Sequence, residues 1–315
     1  MLWLAGLMGL MAVGSVALVE IVPLTEVDDE DSATESETDN LVIVGTGEAD
    51  DLLGGLGDDQ IGGYGGGDLI AAGAGDDIAF GGGDDDTLVG GPGADELHGE
   101  AGEDALYGSD GADLLVGHEA DDHLQGNAGD DALQGSGGND LLAGGAGNDA
   151  LQGGLGDDLL SGGAGADTIF GGWGDDTLDG TVERSLPGAG ETMTQDYLNG
   201  GGGDDVILTG TADVVTAGEG NDAIILGDWL DDTAPVTLID YTAEEDTLLF
   251  VWDDSRGASQ PPNISMETDP ESPGQTRILI DDRLIAQVAG EAGLAPADIA
   301  MISLSSMVTS GLVAA

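Results

Sequence analysis

The chain has 315 residues, of which 59 are glycine and eleven aromatic, so a conventional oily core is excluded along much of its length. Lys and Arg total 4 against 64 Asp and Glu; the net charge of −60 repels phosphate backbones and anionic membrane surfaces, which excludes nucleic acid as a partner. There is no cysteine, so no disulfide framework and no thiolate metal site, and like-charge density this high disfavours a compact state unless cations enter it.

Residues 1–24 carry one charge, Glu20, and match the ~20 apolar residues that one membrane crossing needs. They predict an N-terminal hydrophobic helix, which is either a membrane anchor or a signal-like segment with Ser15-Val16-Ala17 as its small-residue cleavage site. The positively charged start of a secretory signal is missing. Residues 25–44 read as an acidic, Ser/Thr-rich linker.

From Gly45 the sequence is periodic at nine residues, and fifteen consecutive units run to Asp179 without insertion or deletion. A well-kept unit is Gly144-Gly145-Ala146-Gly147-Asn148-Asp149-Ala150-Leu151-Gln152. The sixth place is Asp in every unit: Asp50, Asp59, Asp68, Asp77, Asp86, Asp95, Asp104, Asp113, Asp122, Asp131, Asp140, Asp149, Asp158, Asp167 and Asp176. The eighth is Leu or Ile in fourteen, with Ala79 the exception. Residues 45–180 therefore form one repeat block, and 181–227 hold a loop followed by looser units centred on Asp205, Asp213 and Asp222.

From 228 to 315 glycine falls and Trp229, Tyr241, Phe250 and Trp252 appear, which marks a separate element. Strands are expected at 236–239, 247–252, 277–280 and 284–288, with a short helix opening at Pro296.

The unit has a physical logic. Its first six places make a tight turn in which glycines take φ > 0, and its last three make a very short strand whose eighth residue points to one side. Successive aliphatics then stack into a thin inner layer, with two units per coil. Oxygen-only donors favour hard cations such as calcium or magnesium. Calcium wants six to eight oxygens, more than one turn with one carboxylate offers, so two stacked turns must share each ion. The block carries 31 Asp and Glu and no Lys or Arg. At most thirteen pairs of turns two units apart supply at most 26 positive charges, leaving about −5, so calcium becomes part of the fold.

The unit resembles the glycine-rich RTX, or hemolysin-type calcium-binding, repeat G-G-x-G-x-D-x-U-x. The resemblance implies an all-β fold, a right-handed parallel β-roll, here with a C-terminal β-rich cap. It also implies multiple calcium ions held by turn carbonyls and the sixth-place aspartates, with Asp205 and Asp222 joining the fifteen named above. Glu48, Asp84 and Ala120 stand where the fourth glycine belongs and Ala72 at the first place, which puts those turns in question. By resemblance, residues 228–315 hold the folding cap and a type I secretion signal, and the protein is secreted or held on a bacterial cell surface, where a surface or matrix ligand is its partner.

No catalytic domain is found. His118-Glu119-Ala120-Asp121-Asp122-His123 spaces its histidines by five where a zinc helix needs four, and His98 falls at a ninth place. No Gly-x-Ser-x-Gly elbow occurs, and without lysine there is no phosphate loop. Acidic composition also arises from adaptation to high salt, but that would not hold one Asp in phase. The sequence thus points to a calcium-binding structural or adhesive module that folds on calcium and is not an enzyme. The alternative is a carboxylate-based, polysaccharide-modifying enzyme with its site in 181–315, and a further one is a calcium buffer without a specific partner.

Overall fold

The structure is a computed structural model that describes residues 22–23, 40–181, 194–227, 229–230, 234–254, 261–290 and 294–306. Among them the chain winds as an all-β parallel solenoid, with a 15-stranded sheet on one side and a 12-stranded sheet on the other. Alternate units feed opposite sheets, so residues 18 apart become neighbours. Leu115, Leu133, Leu151 and Ile169 stack in one sheet, and Leu106, Leu124, Leu142 and Leu160 in the other.

The nine-residue period explains each strand. In Ala150–Leu155 the eighth-place Leu151 and the first-place Gly153 face inward, while Ala150 and Gln152 face out. Every eighth-place residue from Leu52 to Leu178, Ala79 included, is no more than 2 % exposed. Each fully buried Leu contributes about 1.5–3 kcal/mol of transfer free energy, so the core is a line of small equal increments. The first-place glycine interrupts the pairing in every coil: Gln125 pairs with Ala143 and Asn127 with Gly145, while Gly126 and Gly144 are passed over.

The second and fourth places carry left-handed backbone. Gly147 has φ 146°, and a Cβ there would lie 1.8 Å from the carbonyl oxygen of Gly129. Asp84 and Ala120 replace that glycine yet hold left-handed φ of 72° and 82°, so their turns keep their course at the expense of strain. Glu48 does not adopt left-handed φ, and the first turn differs accordingly. Ala72 is fully buried at its first place.

Most of the expected N-terminal helix falls on residues outside those described; Val22–Pro23 pairs antiparallel with Val42 and Leu41. No helix among the described residues is long and apolar enough to cross a membrane. The last four residues of the expected linker, Leu41–Val44, form a strand paired in parallel with Gln60–Gly62, because Ile43 supplies a buried aliphatic to the same inner line.

Residues after 228 were expected to be a separate element, but they extend the same two sheets. Val236–Leu238 and Thr247–Trp252 pair in parallel with Val214–Glu219 and Ala223–Gly227, and buried Tyr241 and Phe250 continue the core. Arg283–Ala289 adds to Val236–Leu238, and antiparallel pairing with Gln275–Ile280 and then Ile264–Thr268 finishes that sheet. Ile299–Ser303 adds to Thr247–Trp252 in the other. The short helix is a single 3-10 turn, Pro296–Asp298, whose Asp298 carboxylate accepts the N–H of Ala295.

Candidate metal centre

The sixth-place aspartates lie inside the coil, none more than 4 % exposed, because the turn folds them back beside the first-place glycine of their own unit. Each uses its backbone fully. The N–H of Asp131 donates to Oδ1 of Asp149, one coil on, at 2.9 Å, and Ala150 N–H donates to the Asp131 carbonyl at 2.8 Å. The same N–H to Oδ1 bond links Asp50 to Asp68, Asp59 to Asp77 and so on to Asp158 with Asp176, at 2.6–2.9 Å.

Oδ1 is therefore spent and Oδ2 is not. In Asp59, Asp68, Asp77, Asp86, Asp95, Asp104, Asp113, Asp122, Asp131, Asp140, Asp149, Asp158, Asp167, Asp176, Asp205 and Asp222 the second oxygen is buried with no hydrogen-bond partner. A buried carboxylate oxygen without a partner costs free energy unless it is protonated or meets a cation. Burial raises the Asp86 carboxyl to about 7, against the lowering effect of the Asp68 N–H, and the charges of Asp104, Asp68 and Asp84 push the same way. Burial likewise brings Asp149 and Asp158 to about 7 and Asp104 and Asp140 to about 6.

The surroundings of Oδ2 suit a hard cation. A Cβ added to Gly144 would meet Oδ2 of Asp149 at 2.3 Å and the carbonyl oxygen of Gly162, one coil on, at 2.7 Å. Gly108, Gly126, Gly135, Gly153, Gly171 and Gly200 repeat that pairing of a carboxylate with a carbonyl from the next coil. Among the described residues no three His, Asp or Glu side chains converge on one point, so any shared ion must draw the rest of its ligands from backbone oxygens.

The ladder continues where the repeat breaks. Asp167 N–H donates to Oδ1 of Asp196 and Asp176 N–H to Oδ1 of Asp205, both at 2.8 Å, so the spacing grows from 18 to 29 residues without loss of a rung. Asp196, raised to about 8 by burial and by the charges of Asp213 and Asp167, is a rung that the nonapeptide phase does not announce. The Asp196-Tyr197-Leu198-Asn199-Gly200 string, an Asp two residues before an aliphatic and four before a glycine, is the signal that would have found it.

Both ends are closed by protein donors. Thr46 N–H donates to Oδ2 of Asp50 at 2.6 Å, so Asp50, expected as a metal ligand, differs from the other sixth-place aspartates in having a donor on that oxygen. At the other end Oδ1 of Asp246 accepts the N–H of Asp222 at 3.3 Å and its Oδ2 accepts that of Thr242 at 2.6 Å. Asp213, expected at the centre of a looser unit, accepts Asp196 N–H on Oδ1 and Gly210 N–H on Oδ2. Asp240 accepts from Ala217 and Gly218. Asp196, Asp213, Asp240 and Asp246, four of the carboxylates in 181–315, thus hold neighbouring segments together.

A second ladder runs outside and in the opposite direction. Fifth-place side chains accept from the following coil: Asp175 N–H donates to Asp157 Oδ1 at 2.9 Å, and Asn148 N–H to Asp130 Oδ1 at 2.8 Å. His118 and His123, the pair spaced by five, lie in strands of opposite sheets.

A family model for the RTX calcium-binding nonapeptide repeat matches residues 44–79, 62–97, 80–115, 116–151, 152–181, 195–212 and 210–228. The chain belongs to the RTX calcium-binding repeat family. The matched segments cover more than half of the chain and end where the RTX roll meets Asp246 and the strands that close it. No curated protein matches the chain. The RTX roll is a calcium-binding repeat module on a parallel β-solenoid.

Proposed function

We propose that the sixteen aspartates with a partnerless Oδ2 hold calcium ions between neighbouring coils, together with first-place carbonyls, and that calcium uptake drives folding. The observation that carries this reading is the row of buried, unpartnered carboxylate oxygens, with a carbonyl from the next coil close by at Asp59, Asp68, Asp113, Asp131, Asp140, Asp149, Asp158, Asp176 and Asp205. At neutral pH a metal-free fold would have to bury that row as charge or bind protons against its solution preference. A divalent ion neutralises it and supplies the missing partner, so ion binding is folding free energy.

The loaded roll is a rigid right-handed module, secreted or held on a cell surface, with 228–315 serving as folding cap and export region. An adhesive role draws support from the outer face of the 15-stranded sheet, where Phe170, Trp173 and Tyr197 stand exposed on adjoining strands among uncharged neighbours. Titrating calcium into metal-free protein while following far-UV circular dichroism tests the reading. β-Structure is expected to appear cooperatively with calcium and to vanish with a chelator, and an unchanged spectrum sinks it. Adhesion to cells or matrix with and without calcium separates a structural adhesin from a calcium buffer.

A further inference from the structure

The three histidines of the chain lie at places nine, two and seven, and the coil brings two of them together. His98 Nδ1 stands 3.0 Å from His118 Nε2 on the outer face of the 15-stranded sheet. His98 Nε2 is 2.9 Å from Oε1 of Glu96. His98 stacks on Phe80, ring centroids 4.9 Å apart and 10° from parallel, and its side chain is 16 % exposed. Glu100 is the strand partner of His118, so Glu96, His98, Glu100 and His118 share one patch of two neighbouring strands.

We propose that His98 and His118 form a two-nitrogen site for a borderline divalent transition ion, copper(II) or zinc(II), chemically separate from the oxygen-only coil interior. Two imidazole nitrogens on one such ion, each ~2.0–2.1 Å from it, lie about 3–3.4 Å apart, which is the separation already present. The two nitrogens now face each other along one line, so the rings turn slightly for both lone pairs to converge on an ion beside that line, and the proton between them leaves. Glu96 on the far nitrogen of His98 is the outer carboxylate that fixes a metal-bound imidazole in its tautomer and raises its basicity. Phe80 holds the ring from one side. Because no third side chain converges on the pair, water completes the coordination, and imidazole donors select copper or zinc over the calcium that carboxylates and carbonyls take.

His118 also stands at a second place with φ 87°, a left-handed conformation that glycine adopts more easily. The variant His118→Gly therefore removes the site while relieving the backbone, so loss of binding cannot be blamed on misfolding.

The test uses the full chain, calcium-loaded, with copper(II) added at one equivalent and read by electron paramagnetic resonance and its nitrogen modulation. A two-imidazole signature is expected. It should drop to one imidazole or none in H98Q and in His118→Gly, persist in H123Q, and show about tenfold weaker copper binding in E96Q. Circular dichroism in calcium checks that each variant remains folded. A two-imidazole signature that survives in the H98Q/H118Q double variant, that disappears in H123Q, or that never forms in the parent protein overturns the proposal. Calcium-dependent folding is read separately in the same samples, so failure of the copper site and failure of the calcium reading are distinguishable.

Discussion

The N–H of Asp122 donates to Oδ1 of Asp140 at 2.8 Å, one coil farther along the axis, while Oδ2 of Asp140 has no partner at all. The two oxygens of one carboxylate are thus placed differently: one fixes the stacking of the backbone, and the other is buried with no donor beside it.

Asn substitution separates those two jobs. In Asp149→Asn the amide oxygen still accepts from Asp131, but the charge is gone. Native mass spectrometry should count fewer bound calcium ions than in the parent. Asp149→Ala also strands the Asp131 N–H and should cost about 1–3 kcal/mol more than the Asn variant. Equal thermal stability of the two variants in calcium would contradict this division.

Acidity should substitute partly for calcium. Burial raises Asp86, Asp95, Asp122 and Asp205 to about 7, against about 3.9 in an unfolded chain, so the fold binds these protons more tightly. Their contribution to stability is complete below pH ~3.9 and is lost as pH rises through about 7. Metal-free protein should accordingly gain β-structure when taken from about pH 8 to about pH 5, as read by circular dichroism. Loss of structure over that interval would refute the assignment of raised carboxyls.

The closed ends should bind nothing. Asp50 and Asp246 each spend Oδ2 on the N–H of a threonine four residues earlier, Thr46 and Thr242. D50N and D246N are expected to leave the calcium count of the parent unchanged, whereas D104N and D158N lower it. A count that falls in D246N would show that the ladder extends past its threonine stop.

Gly144→Ala probes the cradle. The added carbon would meet Asp149 Oδ2 at 2.3 Å and Gly162 O at 2.7 Å, so one of them must move. Overpacking of this kind costs about 1–3 kcal/mol, and the midpoint of calcium-induced folding should shift to higher calcium. Gly274→Ala, where an added Cβ meets nothing, is the matched control and should leave that midpoint in place.

The legible part of this fold is the part held by phase. Leu151 and Asp149 could be placed in the sequence because a strand of period two and a coil of eighteen allow each only one orientation. The sixth place of Asp50 says nothing of Thr46, whose N–H reaches its Oδ2 in a first turn where Glu48 is not left-handed. Asp196 and Asp246 were hidden by spacing, since the chain takes 29 residues to bring Asp196 under Asp167 and 24 to bring Asp246 under Asp222. The contact of His98 with His118 joins different places of successive coils, a diagonal that place-by-place alignment does not reveal. The segment after 228 was set apart by its aromatic content, yet Tyr241 and Phe250 widen the same core that leucines fill elsewhere.

The 29-residue step between Asp167 and Asp196 shows that rung spacing in the polymer and rung spacing in space are independent. A coil is defined by its carboxylate and its aliphatic, and both are kept while the number of residues between successive rungs changes from 18 to 29. Foreign sequence grafted at that junction should ride on the filament as cargo without disturbing the coils on either side, which makes the break in the repeat the natural attachment point for a passenger domain.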